Sequence, residues 1–257
     1  MRAYLPLLIL LSLLLSSCAR PPRKPEAYTP PPPAAKENVP QRVPGWMKPY
    51  MVDGKVYYPL PSAEGYEEVC LASWYGPGFH GRQAASGEVY NMYEYTAAHK
   101  ILPIGTYVLV KNLENGRELV VRINDRGPFV GDRCIDLSYA SALALGIVGK
   151  GTARVKITAL SEAELSNGVY VYRNQPNFRF SEFYLQVGAF KNYANALRYK
   201  EELERDFSRV EIVPFEHPQH GLMYRVQVFL GEDLYLAYKH AERLKKERFR
   251  AGFLVAK

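Results

Sequence analysis

The sequence predicts two small domains, an all-β barrel and then an α+β unit of βαββαβ order, behind an N-terminal tether. Three observations predict this. Short β-branched and aromatic runs separated by glycine-rich turns fill the middle of the chain, a strand-helix-strand-strand-helix-strand succession fills its last part, and a proline-rich stretch precedes both. At roughly 150 residues per domain, 257 residues leave room for one or two compact domains. An aromatic share of 13%, with 20 tyrosines, excludes a chain disordered throughout. The net charge of +7 comes from interspersed signs, with no basic block of the kind that neutralises phosphates, so nucleic acid is not the expected partner.

Residues 1–17 read as a signal peptide. Arg2 precedes an apolar run from Ala3 to Leu15, and about 13 residues are too few to cross a hydrocarbon core as a helix. Leu15-Ser16-Ser17-Cys18 resembles the bacterial lipoprotein cleavage box, which implies cleavage before Cys18 and lipidation of its sulfur. Several acyl chains on one residue give durable anchoring. Ala19 after the cysteine favours, by the same resemblance, the outer membrane. Residues 18–66 then form a tether, with Pro30 to Pro33 consecutive, that favours extended polyproline conformations. Trp46 and Tyr57-Tyr58 are candidates to pack on the following domain.

Residues 67–160 carry the barrel. Val69–Tyr75, Tyr107–Lys111, Leu119–Asn124 and Ala153–Thr158 read as strands, with Asn115-Gly116 predicting a type I′ hairpin turn. Ser138–Leu145 reads as a short capped helix stopped by Gly146. Cys70 and Cys134 remain as a candidate disulfide in an oxidising compartment; the alternative is two buried thiols that never meet. Residues 161–180 read as a connector. In residues 181–257, Phe183–Phe190, Val210–Phe215, Met223–Leu230 and Gly252–Val255 read as strands, and Asn192–Phe207 and Asp233–Glu247 as helices. Leu185-Gln186-Val187 echoes Arg225-Val226-Gln227-Val228, which predicts two related halves packed about a pseudo-two-fold.

Ala72-Ser73-Trp74-Tyr75-Gly76, Phe79-His80-Gly81-Arg82, Ala85-Ser86-Gly87-Glu88, Ala97-Ala98-His99-Lys100, Leu102-Pro103-Ile104-Gly105-Thr106, Arg122 to Phe129 and Ile135-Asp136-Leu137-Ser138 follow one another in that order. Together they closely resemble the rare lipoprotein A (RlpA) family. The resemblance implies a double-psi β-barrel, similar to those of expansins and of some lytic transglycosylases. Gln186-Val187-Gly188-Ala189-Phe190 and Tyr224-Arg225-Val226 resemble the SPOR domain, which binds glycan strands stripped of peptides. The implied function is a peptidoglycan lytic transglycosylase that cleaves the bond between N-acetylmuramic acid and N-acetylglucosamine in peptide-free strands. It leaves 1,6-anhydro ends and serves septal wall remodelling and daughter-cell separation. A non-catalytic murein-binding lipoprotein of the septum is the alternative, and an expansin-like loosening protein is a third reading. The expected place is the periplasmic side of the envelope, lipid-anchored in the outer membrane and enriched at the division septum, with glycan strands as partner, no cofactor and a monomeric state.

A lytic transglycosylase needs one acid, because the muramic C6 hydroxyl attacks its own C1 and no water is activated. That carboxyl must hold its proton near neutrality, which burial or a neighbouring carboxylate can achieve. Asp136 is the first candidate: Cys134-Ile135 and Leu137 flank it, and the resemblance places the catalytic aspartate there. Its plainer role would be to cap the helix at Ser138. Asp125 is a candidate to raise the pKa of Asp136 or to orient the sugar, or else an ordinary turn residue. The resemblance also carries importance to Glu88 and His99. Trp74, Tyr75, Phe79, Ser86 and Arg126 are candidate sugar contacts, with core packing the alternative for the aromatics. The run Gly81-Arg82-Gln83-Ala84-Ala85-Ser86-Gly87 departs from the family's Gly-Arg-basic-Thr-Ala-Ser-Gly. In the C-terminal unit Gln186, Phe190, Tyr224, Arg225 and Gln227 are candidate glycan contacts, and Phe229 stands where the second repeat usually has glycine. No Cys/His spacing matches a metal set, and His217 and His220 read as a hairpin tip.

Overall fold

The computed structural model describes residues 45–161, 164–166, 169–171, 181–217 and 220–257. The signal peptide, Cys18, the proline run of the tether, the side chain of Trp46 and much of the connector lie outside the described residues.

The folded part begins before the predicted tether ends. Strands β1 (Tyr50–Val52) and β2 (Lys55–Tyr57) form a hairpin whose turn residues Asp53 and Gly54 both have positive φ, the requirement of a type I′ turn. Tyr50 stacks on Tyr57 at 5.3 Å between ring centres, and both rings meet Phe129. Aromatic burial thus folds residues that composition alone assigns to a spacer.

Six strands close into a barrel: β3 (Glu67–Trp74), β4 (Thr96–His99), β5 (Tyr107–Asn112), β6 (Glu118–Asp125), β7 (Arg133–Leu137) and β8 (Thr152–Ser161), in the spatial order β3-β7-β4-β6-β5-β8. The pairs β3/β7 and β4/β6 are parallel and the others antiparallel. Ala72, Ala97, Ile123, Ile135, Leu137, Val155 and Ile157 fill the interior, all but fully buried. Helix α1 (Tyr139–Ala144) follows β7 and is capped by Ser138, whose Oγ accepts the Ser141 amide. The β5–β6 hairpin is present, but its turn is not type I′: only Gly116 has positive φ. The Asn115 side chain instead accepts the Arg117 amide and donates to Leu145 O. Cys70 and Cys134 are joined by a disulfide across β3 and β7, with Cα atoms 6.0 Å apart.

Within the predicted connector, β9 (Glu164–Ser166) and β10 (Val169–Val171) pair as a short ladder. The C-terminal unit follows as β11 (Phe183–Phe190), α2 (Tyr193–Leu203), β12 (Val210–His217), β13 (Gly221–Gly231), α3 (Leu234–Glu247) and β14 (Phe253–Ala256). Its sheet order is β12-β13-β11-β14, so the two echoing segments become central neighbours, with Gln186 opposite Gln227. Asn192 and Asp233 cap the helices by accepting backbone amides. Leu185, Ala196, Val226, Val228, Ala237 and Leu244 form its core, which Leu109 and Leu160 of the barrel join. At that junction Lys156 and Lys245 alternate with Glu67 and Glu242, each lysine lying 2.6–3.4 Å from both carboxylates.

The disulfide closes a span of 64 residues, long enough on the chain-entropy account to restrict the unfolded chain by about 4 kcal/mol. Replacing both cysteines with alanine is expected to lower stability by about 2–4 kcal/mol. Urea unfolding followed by circular dichroism measures it, and an unchanged midpoint would show that the bond adds nothing.

Candidate active site

The register of the barrel strands places the site. Ala98 on β4 lies opposite Asp136 on β7 and opposite Asp125 on β6, and Asp136 lies opposite Ser73 on β3. Residues directly opposite in a sheet share a face, so Ser73, Asp136, Ala98 and Asp125 form one row on the outside of the barrel. The two aspartates are two strands apart, about 10 Å between Cα atoms, with the buried Ala98 between them in the row. A bulge that skips Asn124 turns Asp125 outward, while Asn124 is buried.

Both carboxyl groups are partly buried, and burial pushes each above the usual carboxylate range. Their opposing influences differ. Asp136 Oδ1 accepts a hydrogen bond from Ser73 Oγ and lies 3.6 Å from Arg133 Nη1, and Lys100 also favours its anion. Asp125 Oδ1 accepts the amides of Ala85 and Arg126, both at 2.8 Å. The Arg126 guanidinium donates to His99 O at 3.1 Å and Leu102 O at 2.6 Å, and its charge also favours the Asp125 anion. Tyr75 sits near both aspartates, its phenol pushed upward first by burial and then by the charges of Tyr90, Asp125 and Asp136.

The loop 83–89 covers the Asp125 end. Ser86 N donates to Asn124 O, and Ser86 Oγ accepts Glu88 N. Glu88 receives both Arg122 Nη atoms, at 2.7 and 2.8 Å, and Arg122 holds its carboxyl below the usual range. Glu88 is therefore an anion beside the row and not a proton donor.

Four expectations need correction. His99 occupies the position after Ala98 and points to the other side of the sheet, opposite Ile135. It is 2% exposed, and its Nδ1 accepts the amides of Ile101 and Leu102 while Nε2 faces Tyr66 Oη and Glu68. These bonds tie it to the turn after β4. Arg126 likewise serves backbone carbonyls. Trp74 packs on the barrel core and on Tyr139, 5.7 Å between ring centres. The apolar neighbours of Asp136 in sequence face the interior, and Ser73, Arg133, Lys100 and Tyr75 lie around it, yet burial raises its carboxyl as expected. Phe79 is half exposed, with Arg82 over its ring, while Tyr75 is packed against Tyr90 and Phe79.

Ser73, Tyr90, Lys100, Arg122 and Arg133 belong to the site and were not singled out from the sequence. Strand alternation alone would have found Ser73. Arg133 and Lys100 reach the row through the β3/β7 and β4/β7 pairings, which no local pattern encodes. Among the described residues Glu68, Cys70 and Cys134 gather closely enough to suggest metal ligands, but the two sulfurs are bonded to each other.

In the C-terminal unit Gln186, Arg225 and Gln227 share the sheet face turned away from the helices. Tyr224 lies in the core on the other face against Tyr193, and Phe190 packs on Tyr199. Phe229 packs against Tyr184 and beneath Arg209.

Comparison with known proteins places this geometry. Residues 67–157 match the lytic transglycolase family model and residues 181–256 match the SPOR domain model. Three relatives carry the name endolytic peptidoglycan transglycosylase RlpA. That of Campylobacter jejuni is 42% identical over 173 residues, covering 61% of this chain and 63% of its own length. That of Helicobacter pylori strain 26695 is 39% identical over 206 residues, covering 74% and 61%. That of Pseudomonas aeruginosa strain UCBPP-PA14 is 53% identical over 116 residues, covering 45% and 34%. This chain thus spans between a third and just under two thirds of the length of these relatives.

Burial holds the His99 imidazole below its ordinary pKa, against the pull of Glu68, with Arg126 and Lys100 adding to the depression. The unfolded chain binds a proton at about pH 6.5 and the folded chain only at lower pH, so the stability this histidine contributes is present above about pH 6.5 and is lost as the pH falls below it. Urea midpoints measured from pH 7.5 to 5 should fall with acid in the native protein and fall less steeply in His99→Asn, whose amide oxygen can accept the same backbone donors. Equal slopes would overturn the assignment.

Proposed function

We infer from this chain's membership of the rare lipoprotein A (RlpA) family that it is an endolytic peptidoglycan transglycosylase acting on peptide-free glycan strands. The observation that carries the reading is the row Ser73, Asp136, Ala98, Asp125, which brings two partly buried carboxyl groups to one face of the barrel with Tyr75 beside both. The relatives' shared name and the two domain matches support it.

The reaction needs a proton on the glycosidic oxygen as its bond to the muramic C1 breaks, and a base for the C6 hydroxyl as its oxygen closes on C1. One carboxyl can do both in turn. Asp125 suits this role better than Asp136. Burial raises it against the pull of the Ala85 and Arg126 amides and of the Arg126 charge, and those two amides fix the orientation of its Oδ1. Asp136 is likewise raised by burial, against the pull of Ser73, Arg133 and Lys100, and as a carboxylate it would stabilise positive charge developing at C1. Glu88, held by Arg122, positions the loop over Asn124 and Asp125. The exposed ring of Phe79 offers a sugar platform. The SPOR domain supplies the hold on peptide-free strands and the septal enrichment, and lipid on Cys18 supplies the outer-membrane anchor on the periplasmic side. A monomer suffices for these roles.

Incubation with amidase-treated glycan strands, read by mass spectrometry, should yield 1,6-anhydromuramyl ends. Asp125→Asn should lower the rate by about 100-fold or more, and Asp136→Asn should lower it less. If Asp136→Asn abolished turnover and Asp125→Asn kept it, the two roles would be exchanged. A native protein that binds strands and releases no anhydro ends would instead be the non-catalytic murein-binding lipoprotein. Replacing residues 1–18 with a secretory signal that is cleaved without lipidation should move the protein from the membrane fraction to the soluble periplasmic fraction; retention in the membrane would refute the anchor.

A further inference from the structure

The sheet face of the SPOR domain that points away from α2 and α3 is already occupied. Glu211, Gln227, Gln186 and Phe253 form a row across its four strands, and Arg225 stands two residues from Gln227 on the same face. Gln186 and Gln227 are 6% and 1% exposed although no helix covers them. Part of the cover is the segment that leads into β3. Glu64 Oε1 accepts a hydrogen bond from Gln186 Nε2 at 3.2 Å, and Glu64 Oε2 is ion-paired with Arg225. Arg225 in turn lies 3.7 Å from the ring centre of Phe215, and Gln227 Nε2 donates to Gln186 Oε1 at 3.4 Å.

The barrel presents this carboxylate rigidly. Ala63 is in the barrel core, Tyr66 N donates to Ala63 O, and Ala159 N donates to Tyr66 O. Gly65 has φ +71°, and a Cβ there would lie 3.1 Å from the Phe253 ring, so the turn hugs the sheet only because it lacks a side chain. Beside the occupied position, Arg225 Nε and Gln227 Oε1 are buried without a hydrogen-bond partner among the described residues. A face built for Glu64 alone would leave neither.

A guanidinium and a primary amide that together hold both oxygens of a carboxylate form a carboxylate subsite. The ligand class that matches is a saccharide acid with neighbouring hydroxyls to satisfy the remaining donor and acceptor. In a peptide-free strand the lactyl group of each muramic acid is such a carboxylate, whereas an attached peptide converts it to an amide. We propose that Glu64 is an internal competitor that occupies the saccharide-carboxylate subsite of the SPOR sheet, so that a peptide-free strand binds by displacing it. This rests on the reading that the same sheet face seats glycan. Because Glu64 precedes β3, the strand that carries Ser73, the displacement links strand capture to the barrel.

The test uses the full chain in detergent micelles with fluorescently labelled glycan strands, amidase-treated or peptide-bearing, and follows anisotropy. A competitor that must leave weakens apparent affinity by the fraction of time the site is free. Glu64→Gln, which keeps the shape and removes the charge, and Glu64→Ala are expected to bind peptide-free strands about fivefold more tightly or better. Arg225→Ala is expected to bind more weakly than the native chain, with Glu64→Gln giving no recovery in its background. If both Glu64 variants bound no better than the native chain while Arg225→Ala weakened binding, the competitor would be refuted and the glycan seat would stand. If Arg225→Ala bound as tightly as the native chain, the seat itself would be refuted, and the competitor with it. An equal gain toward peptide-bearing strands would refute the carboxylate match.

Discussion

A closed barrel has no room for charge, and that constraint orders the rest of the molecule. Its interior is mostly apolar, the exceptions being neutral groups such as His99 and Asn124, so on each strand the residues between the inward ones are turned outward. Ile135 and Leu137 are both fully buried, and this forces Asp136 to the outer surface. The parallel pairings of β3 with β7 and of β4 with β6 then align Ser73, Asp136, Ala98 and Asp125 into one row. A slip of one residue in β7 would send Asp136 into the core and Ile135 and Leu137 to the outer face, at a cost no small domain could bear.

Within that row, chemistry is divided by environment and not by residue type. Asp125 and Asp136 are both raised by burial, yet the cations near them are placed differently: Arg133 approaches Asp136, whereas Arg126 turns to the carbonyls of His99 and Leu102. Glu88 is held as an anion by Arg122. Neighbouring carboxyl groups are thus set apart in proton affinity by their surroundings: burial raises Asp125 and Asp136, and Arg122 lowers Glu88. The C-terminal unit is tied to the same scaffold through Leu109 and Leu160 and through the alternating charges of Lys156, Lys245, Glu67 and Glu242. That packing is what brings Glu64 to the face of the neighbouring sheet.

Much of the architecture was legible in the residues. The strands from Val69, Tyr107, Leu119 and Ala153, the helix capped by Ser138, and every element of the βαββαβ unit were readable from alternation, helical spacing and caps, because these depend on neighbours a few residues away. Two strands were not readable. Thr96–His99 is buried at all four residues and so shows no alternation, and Arg133–Leu137 is only five residues long, too short for a period to stand out. The hairpin of Tyr50 to Tyr57 was hidden for the opposite reason: its stabilising partner, Phe129, lies far away in sequence.

At the site the same division holds. The sequence by itself determined which residue types were present and in what order: aspartates beside turns, a glutamate after Ser86-Gly87, a histidine after two alanines, and paired glutamines in the two echoing strands. Only the tertiary structure decided which face each side chain occupies and what lies against it. His99 went inward and Asp125 outward because one strand ends in a turn that needs an acceptor and the other contains a bulge. Gln186 and Arg225 met Glu64 because two domains pack together. Side-chain direction follows from register, and register is a property of pairs of strands distant in the chain, which no single segment contains.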